Sequence, residues 1–310
     1  MAAGKPALLA CDWGTTNLRA WTLDEAGQVV ADRDFPLGVA GLQPGEAAQR
    51  FADEVQPALN AAGLPAILCG MVGSNLGWRV APYADCPAGL QDVARAMIAV
   101  DSGGTWARIV PGVRGEGLAG QPDVMRGEET QVLGWVVQDA VRAHGRRVIC
   151  HPGTHAKWVV VEDGRIVRFV TVMTGELFAV LRRHSVLKSE AEPNDEAAFD
   201  AGVEAAQDGG GLAARLFTAR ARVVGGGARA ESTPSYLSGL LIGAEAAAAP
   251  GLLGLGPDEP VALLGDAALC RWYARALSKR GVRHEIFDGE AAAVAGLFAL
   301  YRLGLEHDAR

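Results

Sequence analysis

The stretch ACDWGTTNLRAW, residues 10–21, decides how this chain is read. An apolar run, ALLAC (7–11), reaches Asp12, the turn passes through Gly14-Thr15-Thr16, and a second apolar run, LRAWTL (18–23), leaves it. DEAGQ, with Gly27, then turns the chain into VVADRDF (29–35). Strand, turn, strand, turn, strand predicts a three-stranded antiparallel meander. A plain turn needs a glycine; it does not need an acid beside a pair of hydroxyls. Glycine lets backbone N–H groups approach a phosphate because no Cβ stands in the way. A carboxylate just upstream can hold Mg²⁺ through water, and the ion then bridges phosphate oxygens. Asp12, Gly14, Thr15 and Thr16 are therefore candidates for binding a phosphate and its metal, with ordinary turn formation as the bland alternative.

The pattern returns at VICHPGTHAKWVVVEDGRIVRFVT, residues 148–171. Cys150, Gly153 and Thr154 follow Cys11, Gly14 and Thr15 by 139 positions each, and the next turn shortens from DEAG to DG. His151 stands where the first copy has Asp12, so only one loop keeps an acid. The repeat predicts two units of related topology, each presenting a Gly-Thr loop. Lys157, just past the second loop, could reach phosphates or simply edge a strand. His151 and Cys150 with His155 prompt a check for zinc, but the i, i+4 spacing converges on a helix and this segment reads as strand and turn.

The 310 residues suffice for one large or two medium cores, and hydrophobic residues at 49% with charged residues at 21% are ordinary for a globular protein. A net charge of −7 supplies no basic field for nucleic acid or an anionic membrane. Five scattered cysteines, Cys11, Cys69, Cys86, Cys150 and Cys270, read as reduced thiols rather than a disulfide framework. No apolar run reaches the length of a membrane span, and the N-terminal stretch lacks a signal core. A cytoplasmic protein is expected.

Between the repeats the pattern predicts a helix over 45–62, a strand over 66–74, a strand near 107–111 and a helix from about Val124 to Ala143. Val132, Leu133, Val136, Val137, Ala140 and Val141 form the apolar stripe of that last helix. After the second meander, helices are expected near 175–187, 195–207, 235–249, 266–280 and 289–304. The strand VALLG (261–265) precedes the fourth of these, and an edge strand RHEIF (283–287) follows it. Pro193-Asn194 looks like a helix start. The triple-glycine runs at 209–211 and 225–227 read as loops. Gly265, at a strand end and followed by Asp266 and a helix, suits contact with a nucleoside, though an ordinary strand-to-helix turn has the same form.

DWGTT after a strand, a second Gly-Thr hairpin and a late strand–Gly–helix together resemble the actin, sugar-kinase and heat-shock-chaperone ATPase superfamily. Within it, DWGTTNLRAW, GMVGSNLGW, DVMRGEETQ, HPGTHAKW, MTGELFAVLRRHSVL and SYLSGLLIGAE resemble the 2-keto-3-deoxygalactonate kinase (2-dehydro-3-deoxygalactonokinase) family across nearly the whole chain. The resemblance implies an α/β, two-lobed actin-like ATPase fold, each lobe a mixed sheet with helices, and a nucleotide cleft between the lobes. Lobes of 1–135 and 136–310 are expected, with the last helix able to pack back on the first.

The implied activity is transfer of the γ-phosphoryl of Mg-ATP to the terminal hydroxyl of 2-dehydro-3-deoxy-D-galactonate, giving the 6-phosphate. Asp12 would serve the metal, Gly14, Thr15, Thr16, Gly153, Thr154 and Lys157 the phosphates, and Gly265 and Asp266 the nucleoside. Phosphoryl transfer also wants a carboxylate to accept the hydroxyl proton. By resemblance that acid sits where a loop enters the bridging helix, which makes Asp123 the candidate base, or else a helix N-cap. Glu128, Glu129 and Glu176 stand behind it. The substrate's own carboxylate needs a cation, and Arg79 or Arg126 could supply it. Ser74, Asn75 and Trp78 could line the sugar pocket. Position 151, apolar in the family, and Ala156, a serine there, depart from the resemblance.

The implied partners are the small-molecule sugar acid and ATP, and a homodimer is compatible with them. The rival readings are a superfamily kinase for another sugar acid or polyol, and a nucleotide-gated ATPase that uses hydrolysis as a switch. A chaperone would need a substrate domain and a repressor a helix-turn-helix; the chain is expected to have room for neither.

Overall fold

The computed structural model describes residues 4–207, 211–256 and 258–309. The chain divides into two compact units: Met1–Arg146 with Val161–Arg168 and Gly289–Arg310, and Arg147–Val160 with Phe169–Asp288. Residues 136–146 and 161–168, expected in the second unit, group with the first.

In the first unit, β1 (Leu8–Trp13), β2 (Leu18–Leu23) and β3 (Val29–Phe35) form the expected meander. β1 extends through Asp12 and Trp13, so the turn proper is Gly14–Asn17, closed by the Gly14 N–H on the Asn17 carbonyl at 2.9 Å. The helix expected over 45–62 is α1 (Glu46–Arg50), a π-turn over Phe51–Val55 and α2 (Gln56–Ala58), ending just past Pro57. β4 (Ala66–Gly70) is shorter than expected and runs into a 3₁₀ turn over Met71–Gly73. It lies parallel to β1, with Asp12 beside Cys69 and Trp13 beside Gly70. Further on come β5 (Tyr83–Asp85), α3 (Leu90–Arg95), β6 (Ile98–Ala99), β7 (Ala107–Ile109), β8 (Gly112–Glu116) and β9 (Pro122–Met125). The main sheet has the order β3-β2-β1-β4-β7-β6, and β5-β8-β9 make a small second sheet. Leu9, Cys11, Trp13, Leu18, Leu68 and Ile109 pack with Phe51 and Val55 in its core.

The helix expected from about Val124 begins four residues later, as α4 (Glu128–Val137). Val124 and Met125 pair antiparallel with Arg114 and Val113, and Gly127, at φ +112°, makes the corner that ends the strand and opens the helix. Asp123 accordingly lies in β9 opposite Gly115 and is no N-cap. Past Val137, Asp139 accepts the Val141 N–H at 2.9 Å and starts a 3₁₀ turn over Ala140–Ala143 instead of continuing the helix.

The second meander is β10 (Arg146–His151), β11 (Ala156–Glu162) and β12 (Arg165–Val172), in a sheet of order β12-β11-β10-β13-β14. The helices are α5 (Thr174–His184), α6 (Glu196–Ala205), α7 (Leu212–Leu216), α8 (Thr218–Val224) and α9 (Thr233–Leu253). The sequence pattern missed α7 and α8. Gly211 precedes α7 and Gly225–Gly227 follow α8 as a turn; Gly209 and Gly210 lie outside the described residues. α6 begins at Asp195, whose carboxylate caps the Ala198 N–H at 2.9 Å, one residue past Pro193-Asn194. α9 has the length and apolarity of a membrane span, but most of it is buried in the protein, the pattern of a core helix. β13 (Val261–Gly265) runs parallel to β10 and to β14 (His284–Asp288), with α10 (Ala267–Lys279) between them in sequence.

The last helix, α11 (Gly289–Asp308), groups with the first unit. Its Glu290 accepts the Trp21 indole N–H at 2.9 Å, and Asp308 accepts Trp106 at 2.6 Å and Arg108 at 2.8 Å. Both sheets thus share one plan: a meander whose first strand lies parallel to the next strand of the sheet, β4 in one case and β13 in the other.

Candidate active site

In the first unit, β1 and β4 end side by side, so the Gly14–Asn17 turn and the segment after β4 leave the same edge of the sheet. Ligands of parallel sheets gather at such strand ends. Thr15 and Thr16 are exposed. The turn is braced from behind: Val39 N–H bonds the Gly14 carbonyl and Ala40 N–H the Thr15 carbonyl, each at 3.1 Å, while the Trp13 indole donates to the Leu37 carbonyl at 2.6 Å. Gly38 makes this possible, since a Cβ there would stand 2.1 Å from the Thr15 oxygen. The brace is absent from the sequence reading.

Asp12 is half-buried at the end of β1, and its carboxyl is pushed up to about 6, first by burial and then by the charge of Glu128, against the pull of Arg19, Cys69 and Gln131. Glu128, first residue of α4, accepts the Arg126 N–H at 3.0 Å. Glu129 is fully buried, accepts from Gly127 N–H (2.7 Å) and the Thr130 hydroxyl (3.0 Å), and is pushed up to about 8, chiefly by burial. Asp12 and Glu128 therefore share one field at the N-terminus of α4. Asp123 is half-buried in β9, and its carboxylate accepts its neighbour Val124's N–H at 2.8 Å.

The two candidate arginines differ. Arg79 is exposed and donates to the Ala99 carbonyl at 3.0 Å. Arg126 lies over the Tyr83 ring at 4.3 Å and donates through Nη2 to the carbonyls of Ala81 (2.9 Å) and Pro82 (3.4 Å). Its Nη1 is buried with no hydrogen-bond partner. An orphaned charged donor costs about 1–3 kcal/mol or more, so an arriving carboxylate oxygen would be welcome there. Ser74 folds its loop by accepting the Leu76 N–H at 3.2 Å, and Asn75 is exposed. Trp78 packs on Phe51, ring centres 5.4 Å apart, at the edge of the core.

In the second unit, β10 and β13 likewise end together. Thr154 is exposed and Gly153 has open space where a Cβ would go. Glu176 N–H bonds the Thr154 carbonyl at 2.9 Å, and a Cβ on Gly175 would stand 2.5 Å from the Gly153 oxygen. Lys157 is buried in β11, its ammonium turned back to the His155 carbonyl at 3.1 Å. The His155 ring meets the Glu176 carboxylate at 2.5 Å, which commits that acid locally. Among the described residues no group of three His, Cys, Asp or Glu side chains could hold a metal by itself. Gly265 has φ +147°, a conformation open to glycine, near Pro152 and His151. Asp266 caps α10 through the Leu269 N–H at 2.8 Å.

Residues 12–300 match the family described as 2-keto-3-deoxy-galactonokinase. The chain is 37% identical over 300 residues to the Rhizobium meliloti (strain 1021) protein named "Probable 2-dehydro-3-deoxygalactonokinase DgoK1", covering 94% of this chain and 96% of that one. It is 34% identical to the Escherichia coli (strain K12) 2-dehydro-3-deoxygalactonokinase, covering 93% and 95%. The crystal structure of a 2-dehydro-3-deoxygalactonokinase-family protein from Sinorhizobium meliloti superposes with a TM-score of 0.84 at 35% identity, covering 95% of this chain and 98% of that one. The activator of 2-hydroxyisocaproyl-CoA dehydratase from Clostridium difficile shares the fold, with a TM-score of 0.54 at 12% identity, covering 98% of this chain and 97% of that one. This chain belongs to the 2-keto-3-deoxy-galactonokinase family.

Proposed function

We propose that the protein transfers the γ-phosphoryl group of Mg-ATP to the terminal hydroxyl of 2-dehydro-3-deoxy-D-galactonate. The observation that carries this reading is the Gly-Thr loop built twice on one plan, with an acid in the first copy alone. Thr15, Thr16 and the backbone of Gly14 serve phosphate oxygens from the first unit. Gly153, Thr154 and the Lys157 ammonium do so from the second, and Gly265 and Asp266 border the nucleoside. Asp12 fits Mg²⁺: a half-buried carboxylate pressed by a second acid gains from a cation, and one or two protein carboxylates with waters and phosphates are this ion's habitual set. Bound there, the ion would neutralise charge on the phosphates. The reaction needs two small molecules and neither nucleic acid nor membrane, and we place it in the cytoplasm.

Arg126, rather than Arg79, takes the substrate carboxylate, because its buried Nη1 lacks an acceptor. Ser74 and Asn75 lie on the loop that Gly73 and Ala81 close, with Arg126 donating to the Ala81 carbonyl, and border the sugar. We assign the base to Glu128, the first residue of α4, whose charge bears on Asp12. Asp123 is the alternative, and variants separate the two. Glu128→Gln is expected to lower turnover by about two to four orders of magnitude, the range of lost general-base catalysis, with Asp123→Asn inside tenfold. The reverse order moves the base to Asp123.

A coupled ADP-release assay with a panel of 2-keto-3-deoxy sugar acids and polyols tests the function itself. Release stimulated by 2-dehydro-3-deoxy-D-galactonate above all others is expected. Stimulation by another acid or polyol changes the substrate, and release indifferent to all of them overturns the kinase reading in favour of a nucleotide-gated ATPase.

A further inference from the structure

Glu245 lies in the middle of α9, 4% exposed, where a carboxylate has no ordinary reason to be. Its Oε1 accepts the Trp158 indole N–H at 2.6 Å, and its Oε2 accepts the Tyr273 hydroxyl at 2.8 Å and the Thr174 hydroxyl. All three partners are neutral. Burial pushes the carboxyl up, and the three donors pull it the other way. A buried acid held only by hydrogen bonds is costly, so what it joins matters.

Each donor sits on an element that frames the second Gly-Thr loop. Trp158 lies on β11, the strand that leaves the loop. Thr174 opens α5, and the next two residues are the loop's brace: Gly175 against the Gly153 carbonyl and Glu176 N–H on the Thr154 carbonyl. Tyr273 lies on α10, the helix that starts behind Gly265 and Asp266. One carboxylate thus fastens the strand after the loop, the helix turn beneath it and the helix beside the nucleoside end.

We infer that Glu245 is a positioning residue for ATP: it sets the Gly153–Thr154 loop against α10 without touching the nucleotide. The inference rests on the proposed reading of that loop as a phosphate loop. A glutamine has the same shape and can return an acceptor to Trp158 and a donor to the two hydroxyls, which can turn to accept. A leucine cannot.

The test compares Glu245→Gln with Glu245→Leu, measuring kcat, KM for ATP, KM for the sugar acid and the thermal midpoint. The glutamine variant is expected within about threefold of the parent in KM for ATP, and the leucine variant at least about tenfold worse, both with KM for the sugar acid unchanged. A folded leucine variant with the parent's KM for ATP overturns the inference, whatever its midpoint, because it shows a purely structural role. Should Glu245→Leu fail to fold, Trp158→Phe and Thr174→Val, each removing one donor, carry the same comparison. Gly153→Val, where a side chain has open space, isolates the underlying reading. If it raises KM for ATP while the Glu245 network variants do not, the positioning role falls and the phosphate loop stands. If it leaves KM unchanged, the phosphate-loop reading falls and the inference with it.

Discussion

The two Gly-Thr loops are the same piece of backbone set among different charges. Each follows the first strand of a meander, leaves the sheet beside the end of a parallel neighbour, and is pressed from behind by a glycine three residues past the third strand. Gly38 and Gly175 even keep the repeat, 137 positions apart once the shorter turn is allowed for. What differs is charge. The first loop has Asp12 and, across from it, Glu128; the second has His151 at the matching place and a buried lysine, Lys157, one strand over. The backbone frame is shared; the charged groups set beside it are not.

Exchanging the charge is the strongest way to break this comparison. Asp12→Asn is expected to lower kcat/KM by about two to four orders of magnitude and to weaken dependence on Mg²⁺, read by titrating the metal at fixed ATP. His151→Ala, at the matching place, is expected to cost less than about tenfold. Equal losses would mean that the loops are not divided by charge.

The shared frame can be attacked at matching positions. Gly38→Ala puts a Cβ 2.1 Å from the Thr15 carbonyl, and Gly175→Ala puts one 2.5 Å from that of Gly153, so backbone must move in both. Displacements of this kind cost up to about a hundredfold when they reach reacting groups. KM for ATP is expected to rise by about tenfold or more in each, with Gly38→Ala the worse. An effect in one loop alone would show that the brace is used once.

The meanders and the repeat were legible because glycine, threonine and alternation are local signals. So were Asp12, Gly153 and Thr154 as candidates, and the long helices from α9 on. The braces were not: Gly38 and Gly175 sit in dissimilar neighbours, LGVA and TGEL, and only the fold shows what they press on. The start of α4 was misplaced because an apolar stripe says nothing of φ at Gly127 or of Val124 pairing with β8. That error put Asp123, the candidate base, at the mouth of the helix with an N-cap as its alternative role, and it hid Glu128, the true first residue of α4, whose charge bears on Asp12. Glu245 was passed over for the same reason, being one acid in an alanine-rich run whose three donors come from distant segments.

The smallest expected effect concerns stability, and it too separates the loops. Asp12's carboxyl sits at about 6 in the folded protein against an ordinary value of 3.8, with burial the main cause and Glu128 the next. The native state therefore holds a proton that the unfolded chain has already released, and stability falls as pH rises from about 4 to about 6, the full penalty remaining above that window. Asp12→Asn removes the penalty. Its thermal midpoint at pH 8 is expected to exceed the parent's by about 2–4 °C, with the two converging below about pH 4. Melting curves across that range, without nucleotide or metal, check it. A constant offset between the two proteins would show that the asparagine changes packing and that Asp12's charge is not held at a cost. Convergence would mean that the first loop holds Asp12's charge at a cost, set first by burial and then by Glu128.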